Sequence, residues 1–100
     1  MAYEVAIDGK AAEIRLHGEL TFAQHRKFRH VVVNLERTAP EQVVLDLSNV
    51  EYIDAAGLGL LLVARDTVSG KGGAVELRGA QGQVGRMLEV SRISNLFQAA

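Results

Sequence analysis

Residues 53–62 read Ile-Asp-Ala-Ala-Gly-Leu-Gly-Leu-Leu-Leu, shortly after the alternating run Val43-Val44-Leu45-Asp46-Leu47. The pattern predicts a strand, a short polar loop, and an apolar helix opening at Asp54-Ala55-Ala56-Gly57. A helix start of this kind aims several free backbone N–H groups at one exposed spot, with the positive end of the helix dipole behind them. Ala55 and Ala56, its first residues, carry no hydroxyl.

The rest of the chain supplies partners for that unit. Tyr3 to Ile7 alternates as a half-buried strand, and Asp8-Gly9 reads as the two-residue turn of a hairpin. Ala11 to Leu16 returns, with Ala12, Ile14 and Leu16 on one face, and His17 to Leu20 ends that strand. Thr21-Phe22-Ala23-Gln24 has capping-box spacing, so a helix is expected from there to about Arg37, closed by Pro40. Gln42 to Leu47 is apolar on both faces apart from Asp46, which predicts a central strand covered on both sides. The second helix, about Ala56 to Val68, is apolar almost all round and should be largely buried, with Gly70 as a left-handed stop. Ala74 to Arg78 is a further strand and Gly82 to Val90 a third helix. Ile93 to Phe97 forms a last helical turn or a short strand. The order predicts one α/β domain over residues 1–100: a mixed, mostly parallel sheet with an N-terminal β-hairpin and three to four helices. The expected core is Ile14, Leu16, Phe28, Val32, Leu35, Val43, Leu45, Leu47, Leu58, Leu61, Leu62, Val75, Leu77, Met87 and Leu88.

Composition removes several function classes. With 100 residues there is room for one domain. A net charge of −1 and 5% aromatics give no case for nucleic acid or an anionic membrane. Cysteine is absent, which excludes disulfides and thiolate chemistry and fits a cytoplasmic location. No basic-then-apolar leader opens the chain, which argues against export, and no apolar run approaches the roughly 20 residues of a membrane span.

Catalytic and ligand motifs fail on inspection. Gly57-Leu58-Gly59 lacks the third glycine of a dinucleotide loop, because Leu62 stands there. Gly70-Lys71 lacks both the first glycine and the following hydroxyl of a phosphate loop. His17, His25 and His30 have no i, i+4 metal spacing. No Ser lies in a Gly-x-Ser-x-Gly elbow. Nothing supplies Asp46 and Asp54 with a partner nucleophile or electrophile for acid–base work, so Asp46 reads as held by backbone N–H groups and Asp54 as a helix cap or dipole partner. The cluster His25-Arg26-Lys27-Phe28-Arg29-His30 splays around a helix and reads as a solvated face. No enzyme, cofactor or metal is expected.

The stretch from Val43 through Asp54-Ala55-Ala56-Gly57-Leu58-Gly59 resembles the central signature of STAS domains, the sulfate-transporter and anti-sigma-antagonist family. Leu16-His17-Gly18-Glu19-Leu20, Gly72-Gly73, the segment Gly79 to Val90, and Ser91 to Phe97 extend the likeness over nearly the whole chain. The resemblance implies a bacterial anti-sigma factor antagonist. Its partners would be an anti-sigma factor that is also a serine kinase of the histidine-kinase-like ATPase class, and a phosphatase. In that family the kinase phosphorylates a Ser or Thr just before the signature glycine, and the phosphate breaks the complex. Ala56 stands at that position and Ala55 at the one before it. No other Ser or Thr lies between residues 49 and 66, so the chain is not switched at the usual place. Thr67 and Ser69 are conceivable secondary sites. The expected partner surface is Asp54, Ala55, Ala56, Gly57 and Leu58, with Asn49, Glu51 and Thr21 as neighbours. Three explanations stay open: an unswitched regulator, a serine exchanged for alanine to hold the unphosphorylated state, or another job. That last class includes a stressosome-like scaffold, an accessory subunit of a lipid ABC transporter, or an anion-binding module.

Overall fold

Four strands lie in sequence order across one sheet, and the computed structural model describes residues 1–98 of them and their connections. β1 (Ala2–Asp8) pairs antiparallel with β2 (Ala11–Leu20), and β2 pairs parallel with β3 (Gln42–Ile53), which pairs parallel with β4 (Ala74–Arg78). The hairpin turn is Gly9-Lys10 rather than Asp8-Gly9, and Gly9 alone has positive φ, at 63°. That is the turn geometry with glycine first, which removes the need for two left-handed residues. Residues 99 and 100 of the expected domain lie outside the described residues.

The two parallel crossovers move the same way across the sheet. Right-handedness therefore puts α1 (His25–Thr38) and α2 (Ala55–Ser69) on one face, where they pack on each other. Ala12, Ile14, Leu16, Val43, Leu45, Leu47 and Val75 are buried there. The expectation of a central strand covered on both sides is wrong. The opposite face carries Glu13, Arg15, Val44, Asp46, Glu76 and Arg78, with ion pairs Arg15–Asp46 at 3.6 Å and Arg78–Glu76 at 3.2 Å. Val44 is the one apolar residue among them, and it sits half-buried beside Glu13 and Glu76.

Asp46 Oδ1 accepts from the Ser48 hydroxyl at 2.6 Å and the Ser48 N–H at 2.9 Å, as the backbone-anchored reading expected. These bonds, with Arg15 and Arg78 beside it, hold its carboxyl below the ordinary 3.8 despite burial. A carboxyl depressed in the folded state stabilises the fold above its unfolded pKa, and that contribution is lost as pH falls through the folded value. Asp46→Asn should therefore lower stability by about 1–2 kcal/mol at pH 7. The gap between parent and variant should close below pH 3.8. Denaturant titrations at neutral and strongly acid pH measure this, and a gap that stays constant across that range would refute it.

β3 runs six residues past Leu47, through the stretch read as a loop. Leu47, Val50 and Ile53 are all buried there, spaced by three rather than two. Two register shifts against β2 absorb the difference. His17 pairs with Asn49 after Arg15 with Asp46, and Glu19 pairs with Tyr52 after Gly18 with Val50. Each shift places an extra β3 residue opposite β2, a bulge that keeps the apolar side chains on the helix side.

The helix ends depart from the sequence reading in two places. Thr21 makes no side-chain cap; a 3₁₀ turn over Phe22–Gln24 precedes α1, and Gln24 Oε1 instead accepts from the Met1 nitrogen at 3.0 Å. The capping box fails because the Gln24 N–H donates to the Thr21 C=O at 2.9 Å and the Gln24 side chain is taken by Met1. Gly70 keeps helical dihedrals, and Gly72, at φ 85°, makes the left-handed turn out of α2. The Val31-Val32-Val33 run stays helical because burial of Phe28, Val31 and Leu35 overrides stiff β-branched side chains. α3 (Gly82–Ser91) and a 3₁₀ turn over Ile93–Leu96 complete the described elements, and Gln98 bridges to Glu76 of β4. Val32, Leu62, Leu77 and Met87, expected in the core, are only half-buried and pack on its rim. The core instead takes Leu20, Val50, Ile53, Val68 and Val84.

Candidate partner-binding site

The ends of β2 and β3 stop side by side at Leu20 and Ile53, and everything near the α2 start is fastened to them. Asp54 is the pivot. Its Oδ1 accepts the Gly57 N–H at 2.7 Å and caps α2, as expected of that residue. Its Oδ2 accepts the Phe22 N–H at 3.2 Å and so caps the 3₁₀ turn as well. Its own N–H donates to the Leu20 carbonyl at 3.4 Å. Gly57 lies against that same carbonyl, so close that a Cβ would overlap the oxygen. From the other side Gln83 of α3 reaches in. Its Oε1 accepts the Ile53 N–H at 2.9 Å and its Nε2 donates to the Ile53 C=O at 2.8 Å. A side-chain amide thus satisfies the last β3 residue as another strand would.

On this frame the helix start faces outward. Ala55 is exposed and Ala56 partly exposed. Leu58 donates its N–H to the Asp54 C=O as the first helical bond, which leaves the Ala55 and Ala56 N–H groups uncommitted. Ala55, Gly59 and Val63 follow at i, i+4 and i+8 along one exposed stripe, with Val63 47% exposed. The expectation of a largely buried α2 fails along this stripe. Phe22, 65% exposed and stacked on His25 at 4.7 Å, is tied through its N–H to Asp54 at the start of this helix, and Tyr52, 45% exposed, precedes Asp54 by two residues. Together they make an apolar surface with one carboxylate at its base.

Of the residues singled out from sequence, Asp54, Ala55, Ala56 and Gly57 come together, with Thr21 half-buried beside the Phe22 turn. Leu58 is 6% exposed and Gly57 is buried, so both shape the platform without presenting side chains. Asn49 and Glu51 lie apart. They line a cleft of about 620 Å³ with His17, Gly18, Ser48, Val50, Gln81, Gly82 and Gln83. Gln83 belongs to that cleft and to the Ile53 clamp, and so joins the two areas. Thr67 spends its hydroxyl on the Val63 C=O at 2.8 Å, while Ser69 is exposed. Among the described residues no three His, Cys, Asp or Glu side chains gather as a metal site would require. No helix there is long and apolar enough to cross a membrane. Asp46 and Asp54 are each bound to backbone N–H groups, on the open sheet face and at the strand ends respectively.

Phe22, Tyr52 and Gln83 were not foreseen. Tyr52 would have followed from a longer β3. Gln83 bonds a residue 30 positions away and leaves no local pattern.

This arrangement of a capped helix start beside paired strand ends is that of a known domain family. The family profile described as "Mlab, STAS domain" matches residues 3–98, and the chain belongs to the STAS family. It is 32% identical over 91 residues to a STAS-domain containing protein of Pseudomonas aeruginosa, covering 91% of this chain and 89% of that one. It is 23% identical over 94 residues to the anti-sigma-B factor antagonist of Staphylococcus aureus, covering 94% and 87%. Its fold matches that of the Bacillus cell fate determinant SpoIIAA in the phosphorylated form, with a TM-score of 0.72 at 17% identity over 99% of this chain and 91% of that one.

Proposed function

We propose that this chain is a non-enzymatic regulator of the anti-sigma factor antagonist type, held permanently in its binding-competent state. Its partner is an anti-sigma factor of the serine-kinase, histidine-kinase-like ATPase class, met in the cytoplasm at the Asp54–Leu58 surface. One observation carries the reading. The first turn of α2 is open to a partner at Ala55 and Ala56, with exposed Phe22 and Tyr52 close to Asp54, and no Ser or Thr from 50 to 65 offers a serine kinase a phosphate acceptor. The name of the Staphylococcus aureus relative supports an anti-sigma factor as the partner.

The physics gives the alanines their consequence. A phosphate adds about −1.5 to −2 charges. At residue 56 it would meet the uncommitted N–H groups of the helix start but also the Asp54 carboxylate, and it would have to be desolvated when a partner closed over it. Two methyl groups impose none of these penalties, so binding continues whatever the kinase does. A phosphatase has nothing to remove.

The test pairs the chain with the kinase-type anti-sigma factor encoded beside it, with and without ATP. The parent should co-elute equally in both cases and take up no phosphate. Ala56→Ser should take up phosphate and then bind about tenfold or more weakly. Phosphate on residues 54–59 of the parent, or no co-elution with any such kinase, would overturn the proposal. Stable, nucleotide-insensitive co-purification with a transporter ATPase would move the chain to the accessory-subunit reading.

A further inference from the structure

Two features away from the α2 start have no partner among the described residues. The first is the outer edge of β1. At the opposite edge of the sheet, Gln98 donates to the Val75 C=O at 2.8 Å and bridges β4. No strand or turn does the same for β1. The two-residue turn makes Asp8–Ala11 a hydrogen-bonded pair, and Ala6–Glu13 and Glu4–Arg15 follow. The N–H and C=O groups of Tyr3, Val5 and Ile7 therefore point away from the sheet, an open template for another strand.

The second feature is the outer side of α1. Arg26, Arg29, His30 and Arg37 fall on the half of the helix opposite buried Phe28, Val31 and Leu35 and form one basic face, while Lys27 lies at its margin and donates to the Met1 C=O. Glu36 is the single carboxylate on α1. No ion pair among the described residues includes Arg29 or Arg37. Tyr3, Arg29, His30, Val33, Asn34 and Arg37 line a groove of about 400 Å³ between this face and β1, without an acidic side chain.

We propose that the β1 edge and this groove take up an extended acidic segment of a partner protein as a fifth strand. The spacings agree. Arg29 and Arg37 are eight helical residues apart, about 12 Å. Positions i and i+4 of a strand are about 13 Å apart and face the same way. Carboxylates at i and i+4 reach both guanidinium groups, and an apolar residue at i+2 covers exposed Val33, which lies midway between them. The intervening side chains point to the other sheet face beside Glu4 and Asp8, where further carboxylates are repelled. A second copy of this chain fits less well, since β1-to-β1 pairing would set two basic α1 faces side by side.

The probe is the acetylated peptide Thr-Glu-Thr-Val-Thr-Glu-Thr amide, against its isomer Thr-Glu-Glu-Thr-Val-Thr-Thr, which puts the glutamates on opposite faces. In NMR titrations the first should shift and protect the amides of Tyr3, Val5 and Ile7, and weaken as ionic strength rises. The double variant Arg29→Glu/Arg37→Glu, both at exposed positions, should bind it about tenfold or more weakly. Val5→Pro removes an N–H that the β1–β2 ladder does not use, and should abolish binding with the groove charge intact. Equal binding of the two isomers, or indifference to charge reversal, would overturn the proposal. So would edge amides already protected by a dimer in sedimentation, or binding to phosphatidylglycerol vesicles with none to the peptide.

Discussion

Gly57→Ala should cost the fold about 3 kcal/mol, and Gly59→Ala, two residues on in the same helix, should stabilise it by about 0.5–1 kcal/mol. An alanine Cβ at position 57 would overlap the Leu20 carbonyl oxygen and lie 2.7 Å from Ile53 Cγ1 and 2.9 Å from the Leu20 carbonyl carbon. Two of those three atoms are backbone, so no rotamer change relieves the clash. The Leu20 carbonyl also accepts from the Asp54 N–H, so pushing α2 away breaks the junction that holds the site. At Gly59 nothing lies within 4 Å of the added methyl, and the helix gains the usual alanine preference. For a domain of this size 1 kcal/mol moves the melting temperature by roughly 4–8 °C. Gly57→Ala should therefore melt about 15 °C lower and Gly59→Ala a few degrees higher. A Gly57→Ala protein that melts like its parent would show that α2 does not rest on the β2 end as described.

That pair also marks where local pattern stops informing. Glycine at 57 and at 59 looks alike in sequence; close approach to a carbonyl 37 positions earlier separates them. The hairpin, β4 and the three helices follow from periodicity within a few neighbours, and so does the cap at Asp54, because a carboxylate three residues before a free N–H needs no distant partner. The second half of β3 does not follow. Its apolar residues repeat every three positions, and only pairing with β2, through two bulges, turns that spacing into a strand. The exposed stripe on α2 was hidden for a related reason. A helix apolar all round predicts burial, yet α1 and the sheet cover only part of its circumference. The surplus apolar surface at Ala55, Gly59 and Val63 is what a partner can use.

Asp54 should divide into two roles under two substitutions. Asp54→Ala removes the acceptor of both the Gly57 and Phe22 N–H groups. It should destabilise the chain by about 1–2 kcal/mol, since α2 loses its N-cap and the 3₁₀ turn its anchor. Asn caps helices about as well as Asp, and its Oδ1 can keep the Gly57 N–H. Its amide group then faces the Phe22 N–H donor to donor, and that bond is lost. Asp54→Asn should therefore melt within a few degrees of the parent while the Phe22 amide exchanges faster with solvent. Phe22 stacks on His25 at the edge of the proposed docking surface. If that surface is the one used, Asp54→Asn should weaken partner binding several-fold with helix content unchanged, a separation Asp54→Ala cannot show. Hydrogen exchange at Phe22 and Gly57, read beside the binding curve, distinguishes the cases. Faster exchange at Phe22 with undiminished binding would mean the aromatic edge takes no part in recognition, and equal loss of protection at Gly57 would mean the two carboxylate oxygens do not act separately.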